Sequence, residues 1–184
     1  MIFKAKFLLK VLMVGILTLG PVFSLYAEEK LSLQKAGWFD SGVRGDEGVL
    51  EIGDYDASSK QLFVTSNEGN FWILDISEPE EITLVKKVEL KKWGKGATSI
   101  SVKNGVVAVS VEAESKQAPG KIVFFDNTGK YLAAVEVGAL PDMVVFTHDG
   151  KTVLVACEGE PSDDYQIDPE GIVAVIDMSK GASH

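Results

Sequence analysis

The sequence predicts an all-β fold assembled from repeated four-stranded antiparallel sheets, and three observations carry that expectation. Past residue 49 no long stretch repeats its apolar residues with the 3.6-residue period that an amphipathic helix needs. Instead, β-branched and aromatic runs of about five to eight residues alternate with clusters of Gly, Asn, Asp or Pro, the pattern of strands and tight turns. Asp75, Asp126 and Asp177 each close such a run, 51 residues apart. Equal spacing of equivalent positions marks one supersecondary unit used repeatedly, and four short strands per unit fit the blade of a β-propeller.

Taken in order, the first group of strands is Leu50–Asp56, Gln61–Thr65, Phe71–Ile76 and Thr83–Leu90. Its turns are Ala57-Ser58-Ser59-Lys60, Asn67-Glu68-Gly69-Asn70 and Ser77-Glu78-Pro79-Glu80, all rich in residues that tolerate or enforce turn geometry. The second group is Thr98–Val102, Val106–Val111, Lys121–Asp126 and Tyr131–Val137, with turns at Asn104-Gly105, Gln117-Ala118-Pro119-Gly120 and Asn127-Thr128-Gly129. The third holds Met143–Phe146, Thr152–Ala156 and Ile172–Asp177. The domain reading is three blades at about 50–95, 96–139 and 140–184. The recurring aspartates read as turn caps after a strand, not as ligands.

The N-terminus has a different character. Lys4, Lys6 and Lys10 precede an apolar run from Val11 to Phe23, and Ser24-Leu25-Tyr26-Ala27 follows, which is the order of a secretory signal peptide cleaved after Ala27. Leu25 is larger than the residue preferred at its place, so a retained membrane anchor is the other reading of residues 1–27. Residues 28–49 then form a linker, in which Leu31 to Phe39 reads as a lone strand. Loss of residues 1–27 leaves 15 basic against 27 acidic side chains. An acidic exported domain lacks the clustered basic surface that phosphate backbones require, which excludes nucleic acid as a partner. Cys157 is the single cysteine, so no internal disulfide forms, and the expected address is periplasmic, cell-surface or secreted.

Five segments carry a family resemblance: Leu50-Glu51-Ile52-Gly53-Asp54-Tyr55-Asp56, Gly105-Val106-Val107-Ala108-Val109, Gly138-Ala139-Leu140-Pro141-Asp142-Met143-Val144, Glu158-Gly159-Glu160-Pro161 and Asp168-Pro169-Glu170-Gly171. From about Leu31 to Lys180 the chain resembles the choice-of-anchor I family. The resemblance implies an exported bacterial propeller, similar to LVIVD-repeat proteins and to an animal mesenchyme-specific surface glycoprotein. Such proteins are often labelled alkaline phosphatase, and some join the propeller to a separate metallophosphatase domain. Family members are longer, and propellers close with about four to eight blades. The expectation is therefore an N-terminal fragment with an incomplete ring, whose Leu31 to Phe39 strand would close the last blade of a complete one.

In a blade the first strand leaves one rim of the central channel and the second returns to it. Aligning the repeats puts Glu51, Ser99 and Asp142 at first-strand starts, and Asn67, Glu112 and Glu158 at second-strand ends. Glu51, Glu112 and Asp142 are thus the candidate ligand-binding residues of an acidic rim. The loop from Glu158 to Gly171 adds six carboxylates, Glu158, Glu160, Asp163, Asp164, Asp168 and Glu170. Hard cations such as Ca²⁺ take carboxylate and carbonyl oxygens in irregular geometry, so these six are the candidate calcium ligands. The same charges also read as a solvated strand connection, and spacing alone favours that reading. His148 sits in a turn, His184 is terminal, and neither offers the histidine set of a zinc centre.

Three function classes follow. The first is a non-catalytic exported propeller that binds a ligand or surface protein on its acidic rim, with Ca²⁺ as the candidate cofactor. The second is a metal-dependent phosphoester hydrolase of the alkaline phosphatase or phytase kind, which needs rim cations for substrate phosphate, with Lys95, Lys116 and Lys121 available. The third is a surface scaffold that assembles through blade edges.

Overall fold

Turn chemistry cuts the chain into strands. The computed structural model describes residues 32–44 and 48–182, and among them there are eleven strands and no helix. Every described strand belongs to the compact unit of residues 35–184. The signal-peptide reading of residues 1–27 lies outside the described residues.

The first sheet joins β1 (Leu50–Asp56), β2 (Gln61–Ser66), β3 (Asn70–Asp75) and β4 (Thr83–Glu89) in chain order. The second joins β5 (Gly96–Lys103), β6 (Val106–Glu112), β7 (Pro119–Asp126) and β8 (Tyr131–Ala139) in the same way. The third contains β9 (Pro141–Phe146), β10 (Thr152–Cys157) and β11 (Ile172–Asp177). All neighbours are antiparallel, and the first strands β1, β5 and β9 lie side by side. This is the propeller arrangement the repeat spacing predicts: successive antiparallel blades, two of four strands and a third of three, stacked about a line of inner strands.

Local chemistry accounts for the turns. Asn104 and Gly105 both have positive φ, 52° and 76°, as a two-residue hairpin requires, and they connect β5 to β6. The 51-residue aspartates are the turn caps expected of them. The Ser77 amide donates to Asp75 at 2.8 Å, the Thr128 amide to Asp126 at 2.9 Å, and the Ser179 amide to Asp177 at 2.8 Å. These amides hold Asp75 and Asp177 below the usual carboxylate range. Partial burial pushes Asp126 upward, but bonds from the Thr128 hydroxyl and the amides of Lys130 and Thr128 outweigh it and the net shift is downward.

Because strand side chains alternate between faces, each blade presents one apolar row to the blade before it and another to the blade after it. Phe71 and Ile73 of β3 face Val109, Val123 and Phe125 of the second sheet, with the Phe71 and Phe125 rings 5.1 Å apart. One repeat later Ile122 and Phe124 of β7 face Val144, Val153 and Val155 of the third sheet. The largest side chains of these two seams are completely buried, so truncating one to Ala costs about 3–5 kcal/mol.

Two sequence expectations are corrected. The expected lone strand, Leu31 to Phe39, is not one: residues 32–39 carry no strand. Phe39 instead lays its ring edge-on against Trp72 at 6.1 Å, and Val43, Val49 and Leu50 join it over Val64, Trp72 and Leu74, the face of the first blade turned away from the second. Gly37 passes so close to the Pro79 carbonyl that a side chain there has no room, which shapes this segment around the blade instead of along a strand edge. The second correction concerns Pro119 and Gly120, expected in a turn and found inside β7. Proline is tolerated as the first residue of a strand, and Gly120 lets β7 approach Pro141 and the Val111 carbonyl more closely than any Cβ permits.

Candidate functional site

One irregularity recurs in all three sheets. Pairing passes from Leu50↔Ser66 to Gly53↔Val64, from Ala97↔Val111 to Ser99↔Ser110, and from Pro141↔Cys157 to Met143↔Ala156. In each the inner strand spends one residue more than its partner, a β-bulge, which re-aims a side chain at the strand end. The residues released are Glu51 with Ile52, Thr98, and Asp142. All three bulges lie at the same end of their blades, because the strand paired with each inner strand ends beside it.

The bulges frame a cavity of about 370 Å³. Glu51, Asn67, Glu112 and Asp142 line it together with Lys95 and Thr98, so the three candidate ligand-binding carboxylates come from three successive blades and meet at one site. Glu51 and Asp142 are exposed, whereas the Glu112 side chain is 15% exposed and its carboxylate lies 3.3 Å from the Lys95 ammonium. Lys95 sits on the crossover between the first two blades. That crossover is docked by its backbone, the Lys95 amide donating to the Glu112 carbonyl at 3.0 Å, and Gly94 passes too close to the same carbonyl for any side chain. The main chain is therefore fixed, while the Lys95 side chain, 56% exposed, reaches over the opening.

Hydroxyl groups tie the blades together around this cavity. Thr98 Oγ1 is hydrogen-bonded to the Pro141 carbonyl and lies 2.8 Å from Ser110 Oγ, whose hydroxyl also reaches the Ser99 carbonyl at 3.2 Å. The Val144 amide donates to Ser99 Oγ at 3.4 Å. Between the first two blades, Asp54 Oδ2 accepts from the Val102 amide at 2.7 Å and from Ser101 Oγ at 3.1 Å. Neighbouring inner strands, which do not share a ladder, are thus bridged by side chains.

The sequence alignment of the repeats is off by one residue in the second blade. Ser99, expected on the rim, is buried and serves the seam with the third blade; Thr98 lines the cavity in its place. The cause is the bulge, whose extra residue shifts the alternation and leaves no mark in the spacing. Glu158, expected on the same rim, is exposed but does not line the cavity. Lys121 does not line it either, and Lys116 is engaged elsewhere.

The acidic loop is a separate feature. Its base is pinched shut, Gly159 (φ 68°) packing on the Glu170 carbonyl and Gly171 on that of Glu158. Lys116 of the loop between β6 and β7 pairs with Glu160 at 3.1 Å, which raises the lysine pKa, and Gln117 donates to the Glu160 and Pro161 carbonyls. Asp164 accepts from the Ser162 hydroxyl at 2.7 Å and from the Gln166 amide at 3.1 Å, and these bonds lower its pKa. Glu158, Asp163, Asp168 and Glu170 are exposed. Among the described residues no three His, Cys, Asp or Glu side chains gather into a group able to hold a metal ion, so the structure does not bring the six loop carboxylates together as a calcium cage. His148 is exposed in its turn, and Cys157 is buried, with burial pushing its thiol pKa up.

Comparison with solved structures places the architecture. Hydrazine synthase of Kuenenia stuttgartiensis superimposes with a TM-score of 0.56 at 18% identity, over 72% of this chain and 35% of that one. The computationally designed Ika4 protein superimposes with a TM-score of 0.53 at 11% identity, over 80% of this chain and 75% of that one. At such identities the likeness is one of fold, and this chain spans about a third of the length of the hydrazine synthase chain. No curated protein matches the sequence. The model of the choice-of-anchor I domain matches residues 51–184, from the first bulge through the last blade, and the chain belongs to the choice-of-anchor I family.

Proposed function

We propose that this chain is an exported, non-catalytic binding module whose rim cavity receives a positively charged group larger than a bare metal ion, such as the side chain of a basic peptide or an organic amine. One observation carries the reading: Glu51, Glu112 and Asp142, from three successive blades, line one cavity at the inner-strand bulges. Their spread over about 370 Å³ suits an organic cation, since among the described residues no such carboxylates approach closely enough to cage a metal. Lys95 beside Glu112 acts as an internal counter-ion that an arriving cation displaces. Membership of a family whose domains are found in exported proteins supports the address.

Calorimetric titration with a tetralysine peptide tests the reading, using wild type, a Glu51→Gln/Asp142→Asn variant, and a Glu80→Gln/Glu81→Gln control in a turn far from the cavity in the fold. Saturable binding lost in the first variant and kept in the control is the expected result. Equal binding by all three would reduce the effect to net charge and end the proposal. A parallel titration with Ca²⁺ alone, read by thermal melting against a Glu158→Ala/Glu160→Ala variant, decides the calcium reading of the acidic loop, because a ion bound only by the folded chain stabilises it by mass action.

A further inference from the structure

A second cavity opens close to the first, and two successive blades supply its walls. It measures about 430 Å³ and lies between the loop joining β6 to β7 and the acidic loop of the third blade. Ser115, Lys116 and Gln117 line one side, and Glu160, Ser162 and Asp163 the other. The loops are tied across it by the Lys116–Glu160 pair at 3.1 Å and by the Gln117 amide, which donates to the Glu160 and Pro161 carbonyls. Neither cavity is lined by β11, so neither is a product of the open face of the third sheet.

The two cavities are neighbours. β6 ends at Glu112 in the wall of the first, and only Ala113 and Glu114 separate it from Ser115 in the wall of the second. Three residue steps cover at most about 11 Å. Charge links the cavities as well, because Lys116 interacts with Glu160 first and then with Glu112 and Glu158. The second cavity also repeats the chemistry of the first. In each, a half-exposed lysine pairs with a glutamate, Lys95 with Glu112 and Lys116 with Glu160, and carboxylates outnumber ammonium groups. Asp163 is exposed and makes no ion pair among the described residues. We propose that the two cavities form one groove for an extended basic peptide, which places one ammonium-bearing side chain in each, the two being three residues apart. An extended chain rises about 3.3 Å per residue, so this spacing matches the wall between the cavities. The inference rests on the rim-cavity reading and narrows it: the ligand is a peptide with two spaced basic residues, and Lys116 is a second internal counter-ion.

Calorimetric titration of the chain with two capped peptides of equal charge, Lys-Gly-Gly-Lys and Lys-Lys-Gly-Gly, tests the inference. Only the first reaches both cavities, so wild type should bind it at least about tenfold more tightly, since linked contacts make the second binding event intramolecular. Glu160→Gln/Asp163→Asn should bring the two affinities together. Asp163→Lys, which puts a like charge into the second cavity at an exposed position, should weaken Lys-Gly-Gly-Lys and leave Lys-Lys-Gly-Gly unchanged. Equal affinities in wild type, or an advantage that persists in both variants, would overturn the groove while leaving the first cavity as a cation site. A failure of the rim-cavity reading looks different: both peptides then fail to bind wild type, or bind Glu51→Gln/Asp142→Asn as well as wild type, and that result overturns both readings.

Discussion

Replacing Asp54 by Ala is the sharpest test of how neighbouring blades are held. One carboxylate oxygen accepts the Val102 amide at 2.7 Å and the Ser101 hydroxyl at 3.1 Å, and both donors belong to residues that are buried. Each bond to an ionised acceptor is worth about 1.5–3 kcal/mol when desolvated. Asp54 is half-buried, so water recovers part of the loss, and a net cost of about 2–3 kcal/mol follows from the lower end of that range. For a chain of this size about 2–4 °C accompanies each kcal/mol, so the melting temperature should fall by roughly 5–10 °C. Asp54→Asn keeps an oxygen acceptor without the charge and should lose about half as much. Thermal unfolding followed by circular dichroism measures both. Ser101→Ala closes a double-mutant cycle, in which the two substitutions must be less than additive because they remove the same bond. An Asp54→Ala protein that melts with wild type, or strict additivity in the cycle, would refute the account of Asp54 as the bridge between the first two blades.

Other expectations follow from the same geometry. Lys95→Met should strengthen binding of tetralysine several-fold by freeing Glu112, and weaker binding would show that Lys95 contacts the ligand directly. Glu51→Gln/Asp142→Asn should melt at or above the wild-type temperature, since it removes like charges from one cavity; a large fall would assign those carboxylates to the scaffold. Cys157 is buried and its thiol pKa is pushed up by that burial, so alkylation at neutral pH should be slow in the native chain and fast in denaturant. Asp75, Asp126 and Asp177 have folded-state pKa values below their unfolded ones, so their contribution is present above about pH 4 and is lost as pH falls through the folded values. Acid unfolding should therefore move to higher pH in Asp126→Asn, and an unchanged midpoint would deny the turn caps a role.

Much of the architecture is written locally. Period-two alternation and the turn residues decide the strands and their antiparallel hairpins, because each depends on residues only a few positions apart, and the aspartates at 51-residue intervals mark the repeat. The same repeat, read as blades, brings Glu51, Glu112 and Asp142 to a common rim. What tertiary structure alone decided is finer and more consequential for binding. The bulges exchange Ser99 for Thr98 at the cavity, and only packing against the neighbouring blade shows it. Lys95 enters the site because the crossover docks its backbone on Glu112, a contact between residues with no shared motif. The segment around Phe39 becomes a cover, not a strand, because an apolar face containing Trp72 is open to it. Of the six charges of the acidic loop, Glu160 pairs with Lys116 and Asp164 accepts local turn bonds, and among the described residues no three acidic side chains gather into a group able to hold a metal. Local periodicity is an intrinsic property of the chain, whereas a site is a meeting of segments, and which groups meet is settled by close packing between blades.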